Sequence, residues 1–137
     1  PTEAEVEIAT DYVAERMADV EKIVPIDKAV TFVGCAGTFT TLSALAQGME
    51  RYDADSIHGS ELRFDALRVL TRQMIGLASD VRALNPVIHP GRADVIGGGC
   101  VAVEGIMTMI ERNSSARSFF ISEKDILDGI IAGLATA

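Results

Sequence analysis

The chain contains few of the residues on which disulfide-stabilised, zinc-binding and membrane-spanning proteins depend. Its 137 residues include no tryptophan, two cysteines and two histidines. Two widely separated cysteines argue against a disulfide framework, and the two histidines do not have the spacing of metal ligands. No apolar run approaches the roughly 20 residues of a membrane-spanning helix. The sequence therefore predicts no membrane segment and no metal site of its own.

Basic residues are also in the minority. Twelve Lys and Arg residues stand against 20 Asp and Glu residues, which gives a net charge of −8. Long-range repulsion from such a charge opposes binding to nucleic acid or to an anionic membrane. The acidity is concentrated in the first 27 residues, whereas arginines are frequent in the middle of the chain. Those arginines indicate either a locally basic wall or the solvated faces of mixed-charge helices; they are Arg51, Arg63, Arg68, Arg72, Arg82 and Arg92.

Apolar residues, in contrast, are plentiful. They make up 48% of the chain, and the mean hydropathy is +0.25, which is enough to build one packed domain over residues 1–137. The two thiols, Cys35 and Cys100, lack a CxxC motif or nearby histidines, so we expect reduced structural cysteines in a cytoplasmic protein. The chain begins at Pro1 without an initiator methionine, and we interpret it as part of a longer protein.

The most informative segment is residues 30–45, VTFVGCAGTFTTLSAL. An apolar, β-branched run breaks at a Gly-x-x-Gly-Thr turn and resumes at helical spacing, which predicts a strand, a tight loop and a helix. Backbone N–H groups at such a turn can approach an anion, and the helix dipole adds positive charge there. Phosphate is the natural ligand of such a turn. Two glycines at a strand-to-helix turn can also be required only by the backbone conformation of the turn, without any ligand.

Hydrophobic periodicity predicts the elements around this segment. Thr2 and Glu5 form a capping box for a first helix that runs to about residue 22. The run Ala29–Val33 predicts a buried parallel strand, and Gly48 ends the helix that follows the turn. Apolar residues at helical spacing predict a further helix; they are Phe64, Leu67, Leu70, Met74 and Leu77.

The last part of the chain predicts a strand and a capped helix. Arg117–Ile121 has the composition of a strand, and Ser122–Asp125 supplies a capping box for the helix behind it. We expect the apolar residues of that helix to face inward; they are Ile126, Ile130, Ile131 and Leu134. The segment Asp94–Gly99 admits two interpretations, a strand that enters a second phosphate loop or an apolar helix that contains three glycines.

Four short motifs follow one another along the chain. They are the Gly34–Thr38 turn, Ile57-His58-Gly59, the stretch Pro90–Ile96, and Ser122 followed by Gly129-Ile130-Ile131. In this order they resemble the exopolyphosphatase and guanosine-pentaphosphate phosphatase family, from about residue 29 to the C-terminus. Leu127 departs from the family pattern, because an arginine is typical at its position.

The resemblance implies an α/β fold, one lobe of an actin-like ATPase (ribonuclease H-like) fold, with a small, partly parallel sheet and flanking helices. It also implies a buried helix over residues 94–99, which is the alternative we adopt. Such proteins release terminal phosphate from inorganic polyphosphate or guanosine pentaphosphate, with magnesium, in the cleft between two lobes. The chain resembles the C-terminal lobe and contains neither of the family's Asp-x-Gly phosphate loops. The catalytic carboxylate and the magnesium ligands are therefore expected in an N-terminal lobe outside these residues.

The resemblance also indicates which residues of this chain lie near the ligand. Those expected to bind phosphate or a nucleotide are Gly34, Cys35, Ala36, Gly37 and Thr38. The hydroxyl of Thr38 could also cap the helix N-terminus. His58 and Arg92 are candidate cleft residues, but the simpler interpretations are a hydrogen-bonded loop histidine and an ion pair between Arg92 and Asp94. No catalytic residue is expected in this segment, so the segment alone is expected to be inactive.

Two other functions are compatible with the same fold. One is a non-catalytic domain that binds a nucleotide or alarmone, and the other is a regulatory lobe whose apolar helices pair with a second copy in a homodimer. The fold by itself does not distinguish them from a hydrolase.

Overall fold

A computed structural model describes residues 1–137, which form seven α-helices and three β-strands. The helices are α1 (Glu3–Ile23), α2 (Gly37–Ala46), α3 (Ala54–Ile57), α4 (Phe64–Gly76), α5 (Ser79–Ala83), α6 (Ile96–Asn113) and α7 (Ile126–Thr136). The strands are β1 (Val33–Cys35), β2 (Glu61–Arg63) and β3 (Ser118–Ser122). Two 3₁₀ turns, Ile26–Lys28 and Pro90–Arg92, lie in the connections. None of the helices has the length and hydrophobicity that a membrane span requires.

The three strands form one small mixed sheet in which β3 lies between β1 and β2. β1 runs parallel to β3, with Gly34 opposite Ile121. β2 runs antiparallel to β3, with Leu62 opposite Phe119. The expectation of a small, partly parallel sheet with flanking helices is confirmed.

The first strand lies further along the chain than the predicted Ala29–Val33, and it is not buried. The Phe120 N–H donates to the Phe32 carbonyl, and the strand proper extends from Val33 to Cys35. β1 is an edge strand, and the side chain of Val33 is 62% exposed. β-Branched composition favours extended backbone, but the position of the neighbouring strand decides which residues pair.

The core lies between the sheet and helices α2, α4 and α6. Nineteen buried apolar residues form a single cluster. Phe119 connects its parts, because its ring centroid lies 4.9 Å from those of both Phe39 and Phe64. The predicted inward positions of α4 are confirmed for Phe64, Leu67 and Met74, which are all buried.

The first helix lies on α6. Its capping box is confirmed, because the Glu5 N–H donates to the Thr2 hydroxyl at 3.2 Å and the Thr2 N–H donates to the Glu5 carboxylate at 2.7 Å. A Cβ atom on Gly105 of α6 would collide with Val13. The glycine therefore permits the close approach of the two helices.

The helical alternative is confirmed for residues 96–99, since α6 begins at Ile96 and continues to Asn113, whereas Asp94 and Val95 lie in the turn before it. A Cβ atom on Gly97 would lie 2.8 Å from Nη2 of Arg82, and one on Gly99 would collide with the Thr38 hydroxyl. A Cβ atom on Gly98 would meet nothing within 4 Å. Two of the three glycines therefore allow neighbouring side chains to approach α6, and the segment is not a second phosphate loop.

Two expectations for the last helix are wrong. Asp125 is its N-cap, and the capping box pairs Asp125 with Asp128 instead of beginning at Ser122. The apolar side chains expected to face inward are 53% to 76% exposed; they are Ile126, Ile130, Ile131 and Leu134. The physical reason is that no residue of α7 is buried by another element of this chain, so the helix leaves an apolar face uncovered.

Candidate phosphate-binding site

The candidate site begins where β1 passes directly into α2. Ala36 is the only residue between the two elements, and its φ of 70° and ψ of 179° are rare for a residue with a Cβ atom. Gly34 is buried in β1, where a Cβ atom would collide with the ring of Phe39. The predicted loop is therefore a single strained residue between a strand and a helix.

The start of α2 leaves backbone donors without partners. The N–H groups of Gly37, Thr38 and Phe39 have no acceptor within the chain, and the first helical bond runs from the Thr40 N–H to the Ala36 carbonyl. No side chain caps the helix. The interpretation of Thr38 as an N-cap is wrong, because Thr38 lies in the first turn and its hydroxyl makes no hydrogen bond within the chain. Unpaired amides at a helix N-terminus favour an anion.

Arg92 lies against these donors. Its guanidinium approaches Gly37 so closely that a Cβ atom there would overlap Nη1 of the arginine. The expected ion pair with Asp94 is wrong, because Arg92 makes no salt bridge with any acidic residue of the chain. The guanidinium is held at the end of a 3₁₀ turn, in which His89 Nδ1 accepts the Gly91 N–H at 3.0 Å. A positive charge without a counter-charge therefore stands beside the unpaired amides.

A cavity of about 230 Å³ lies at this point. Its lining comes from the first turn of α2 and from the start of α6: Gly37, Thr38, Arg92, Val95 and Ile96. α6, like α2, begins without a side-chain cap. Two helix N-termini and one free guanidinium thus surround the same space, and each favours a negatively charged ligand.

Arg92 also borders a second cavity, of about 430 Å³, next to Thr40 and Thr41 of α2. Thr40, Thr41 and Tyr52 line it together with the turn from Pro86 to Arg92. The Tyr52 hydroxyl donates to the Glu123 carboxylate, and burial raises the pKa of this phenol above its ordinary value. This contact joins residues 71 positions apart along the chain, so no local sequence pattern indicates it.

The remaining candidate residues lie apart from this cavity. His58 Nδ1 accepts the Glu123 N–H at 3.1 Å, so His58 is a hydrogen-bonded loop residue and does not line the cavity with Arg92. Cys35 is an exposed free thiol at the end of β1, whereas Cys100 is buried, which raises the pKa of its thiol to about 12. His58 and Cys35 thus lie apart from the cavity that Gly37 and Arg92 line.

Three of the six arginines in the middle of the chain have their guanidinium groups engaged away from the candidate site. Arg63 pairs with Asp65, and Arg68 donates to Glu111. Arg82 is buried and donates to backbone carbonyls. Within this set, Arg92 supplies the free charge at the candidate site.

The chain offers no acid, base or metal ligand set at this site. Glu104 accepts the Thr71 hydroxyl at 2.8 Å in the interior, and Glu61 is exposed on β2. No group of three or more His, Cys, Asp or Glu side chains could hold a metal ion. The residues present therefore do not fit a magnesium site, and the geometry can bind and orient an anion.

The fold is an α/β lobe of the actin-like ATPase type, in which a strand-to-helix turn and the Arg92 guanidinium border one cavity. The chain belongs to the Ppx/GppA phosphatase family, whose profile matches residues 1–133. This match confirms the family resemblance of the four sequence motifs.

Relatives and solved structures agree with this assignment. Exopolyphosphatase 2 of Mycobacterium tuberculosis is 44% identical over 135 residues, which cover 98% of this chain and 42% of that protein. The crystal structure of an exopolyphosphatase-like protein aligns with a TM-score of 0.93 and 30% identity, over 99% of this chain and 44% of the other. The Ppx/GppA family member of Aquifex aeolicus aligns with a TM-score of 0.85 and 23% identity, over 99% of this chain and 42% of the other. The chain thus spans less than half the length of these relatives.

Proposed function

We propose that residues 1–137 are the C-terminal lobe of a longer hydrolase that releases terminal phosphate from inorganic polyphosphate or guanosine pentaphosphate. The observation that supports this proposal is the set of unpaired N–H groups of Gly37, Thr38 and Phe39 beside the free guanidinium of Arg92. The family assignment and the name of the mycobacterial relative, Exopolyphosphatase 2, support the same reaction.

In the proposed reaction this lobe binds and orients the phosphate chain. The amides of α2 and the Arg92 guanidinium donate hydrogen bonds to negatively charged oxygens, which fixes the phosphate relative to the opposite lobe. Water attacks the terminal phosphorus, the bond from that phosphorus to the bridging oxygen breaks, and the shortened chain leaves. A carboxylate of the opposite lobe takes the proton of the water. Most of the rate enhancement in such transfers comes from positioning and charge neutralisation, so this lobe alone should be inactive.

Magnesium, which the family implies, would neutralise phosphate charge during the reaction. Its ligands would belong to the remainder of the protein, because the side chains of this lobe do not form a ligand set. The same proposal assigns the protein to the cytoplasm, since both cysteines are free thiols.

Phosphate release from polyphosphate by the full-length protein and by the 137-residue chain tests the reaction and its division between the lobes. We expect release by the full-length protein only. Release by the chain alone at a comparable rate would contradict the assignment of the catalytic carboxylate to the other lobe. Release by neither, with polyphosphate or guanosine pentaphosphate, would replace a hydrolase with a non-catalytic binding protein.

A matched pair of glycine variants in the full-length protein tests the site itself. Gly37→Ala should raise the KM for polyphosphate about tenfold, because the new Cβ atom displaces the Arg92 guanidinium and a charged hydrogen bond is lost. Gly98→Ala adds the same methyl group near the start of α6, where nothing lies within 4 Å, and should leave the KM unchanged. An unchanged KM in Gly37→Ala would contradict the proposed site.

A further inference from the structure

Arg82 is a buried charged residue without a charged partner. Its relative exposure is 3%, and no acidic side chain lies within salt-bridge distance of it. Burying an uncompensated charge is costly, and an apolar side chain of similar volume would often serve stability at least as well. We therefore expect the buried arginine of α5 to have a function in addition to packing in the core.

The guanidinium of Arg82 joins three segments. Nε donates to the Met74 carbonyl near the end of α4 at 2.7 Å, and Nη1 donates to the Ala93 carbonyl at 2.9 Å. Nη2 lies against Gly97 in the first turn of α6. The planar fork of an arginine can serve both carbonyls at once, which the single ammonium group of a lysine cannot do with the same geometry.

The bond to Ala93 fixes the turn that carries Arg92. Ala93 is 2% exposed and directly follows Arg92. The Arg92 N–H donates to the His89 carbonyl at 2.8 Å, and the Ala93 N–H reaches the Pro90 carbonyl at 3.4 Å. The turn is therefore fixed by its own backbone hydrogen bonds and by the hydrogen bond from Arg82 to the Ala93 carbonyl. The Arg92 side chain remains exposed.

We propose that Arg82 is a positioning residue for the phosphate site: through the Ala93 carbonyl it holds the Pro90–Arg92 turn so that the Arg92 guanidinium stays beside Gly37. Its buried positive charge also adds to the positive end of α6, which lines the same cavity. This proposal rests on the proposed function of the site and adds to it a residue that does not touch the ligand.

The first test compares Gly97→Ala with Gly98→Ala in the full-length protein. The Cβ atom at residue 97 would lie 2.8 Å from Arg82 Nη2 and should force the guanidinium away from Ala93, whereas the control at residue 98 is open. Both changes raise helix propensity equally. We expect the KM for polyphosphate to rise about fivefold in Gly97→Ala alone, with kcat changed less than about twofold. Equal KM values in the two variants would overturn the proposal.

The second test is a double-mutant cycle of Arg82→Lys and Arg92→Ala. If Arg82 acts through Arg92, Arg82→Lys should raise the KM about tenfold in the wild-type background and have little further effect in the Arg92→Ala background. Equal effects in both backgrounds would show a purely structural role and would overturn the proposal. Urea denaturation of each variant reports stability separately, and a purely structural residue would change stability without this dependence on Arg92.

The cycle also separates the positioning role from the phosphate site itself. An unchanged KM in Arg92→Ala would overturn the phosphate site and, with it, the role of Arg82. A raised KM in Arg92→Ala with additive effects of Arg82→Lys would leave the site intact and overturn only the positioning role. If Arg82→Lys does not fold, the comparison of Gly97→Ala with Gly98→Ala decides between the outcomes, because it leaves both arginines in place.

Discussion

Ala36 holds the backbone conformation on which the candidate site depends. Its positive φ turns the chain from β1 into α2 within one residue and leaves the first amides of the helix unpaired. The Gly-x-x-Gly-Thr pattern predicts this turn, but it does not reveal that the alanine between the glycines adopts the unusual conformation. Gly34 and Gly37 instead make room for Phe39 and Arg92. Contacts of that kind depend on how side chains pack in three dimensions, so sequence spacing alone does not show them.

Replacing Ala36 with glycine should raise the free energy of unfolding by about 1 kcal/mol, because glycine adopts a positive φ without steric cost. Urea denaturation of the 137-residue chain measures this change. Ala14→Gly, at an exposed position inside α1, is the control and should lower the free energy of unfolding by about 1 kcal/mol. A loss of stability in Ala36→Gly as large as in the control would contradict the strain at this residue.

Helices are more predictable than strands in this chain. α1 and α4 have apolar residues at helical spacing, and this periodicity predicts both their existence and the sides that they turn toward the core. At the start of α6 the pattern leaves strand and helix open, and the family resemblance decides for the helix. β2 has three residues and a single buried side chain, Leu62, which is too short for an alternating pattern. The bounds of β1 follow from its pairing with β3, in which Gly34 lies opposite Ile121. Pairing between strands that lie far apart along the chain is not indicated by the local amino-acid sequence of either strand.

The ion pair between Arg68 of α4 and Glu111 of α6 predicts a pH dependence of the free energy of unfolding. The hydrogen bond from Arg68 holds the pKa of Glu111 below its ordinary value of 4.5. The pair therefore stabilises the fold above that pH, and the contribution is lost as the pH falls through the lowered pKa. Glu111→Gln should lower the free energy of unfolding by about 0.5–1 kcal/mol at pH 7 and have a much smaller effect near pH 3.

Urea denaturation at the two pH values measures the contribution of this pair. Glu61→Gln serves as the control, because Glu61 is exposed and makes no salt bridge. A difference between Glu111→Gln and the wild type that is the same at both pH values would contradict the assigned cause of the pKa shift.

The last helix, α7, is the main departure from expectation. The sequence pattern predicts the helix and its apolar residues, and it places those residues inward, whereas the structure leaves them exposed. An amphipathic pattern indicates that one face of a helix is apolar and becomes buried. It does not identify the element or the protein that covers that face. Because the chain spans 42% of its mycobacterial relative, we expect the remainder of the full-length protein to cover this face.

Ile130→Lys tests that expectation. Ile130 is 53% exposed, so the free energy of unfolding of the 137-residue chain should change by less than about 0.5 kcal/mol. In the full-length protein the same change should cost about 1.5–3 kcal/mol if the side chain is buried there. Denaturation of both proteins measures the difference. A concentration-dependent mass of the chain that Ile130→Lys abolishes, without a stability loss in the full-length protein, would instead identify a second copy as the covering partner.

The proposed site binds phosphate oxygens through the unpaired amides at the start of α2. Titration of tripolyphosphate into the isotope-labelled 137-residue chain, followed by amide NMR, tests it most directly. We expect saturable shifts for Gly37, Thr38 and Phe39, reduced in Arg92→Ala, with no change at Gly129 in α7. Unchanged signals for these three residues at millimolar tripolyphosphate, or shifts confined to other parts of the chain, would contradict the claim.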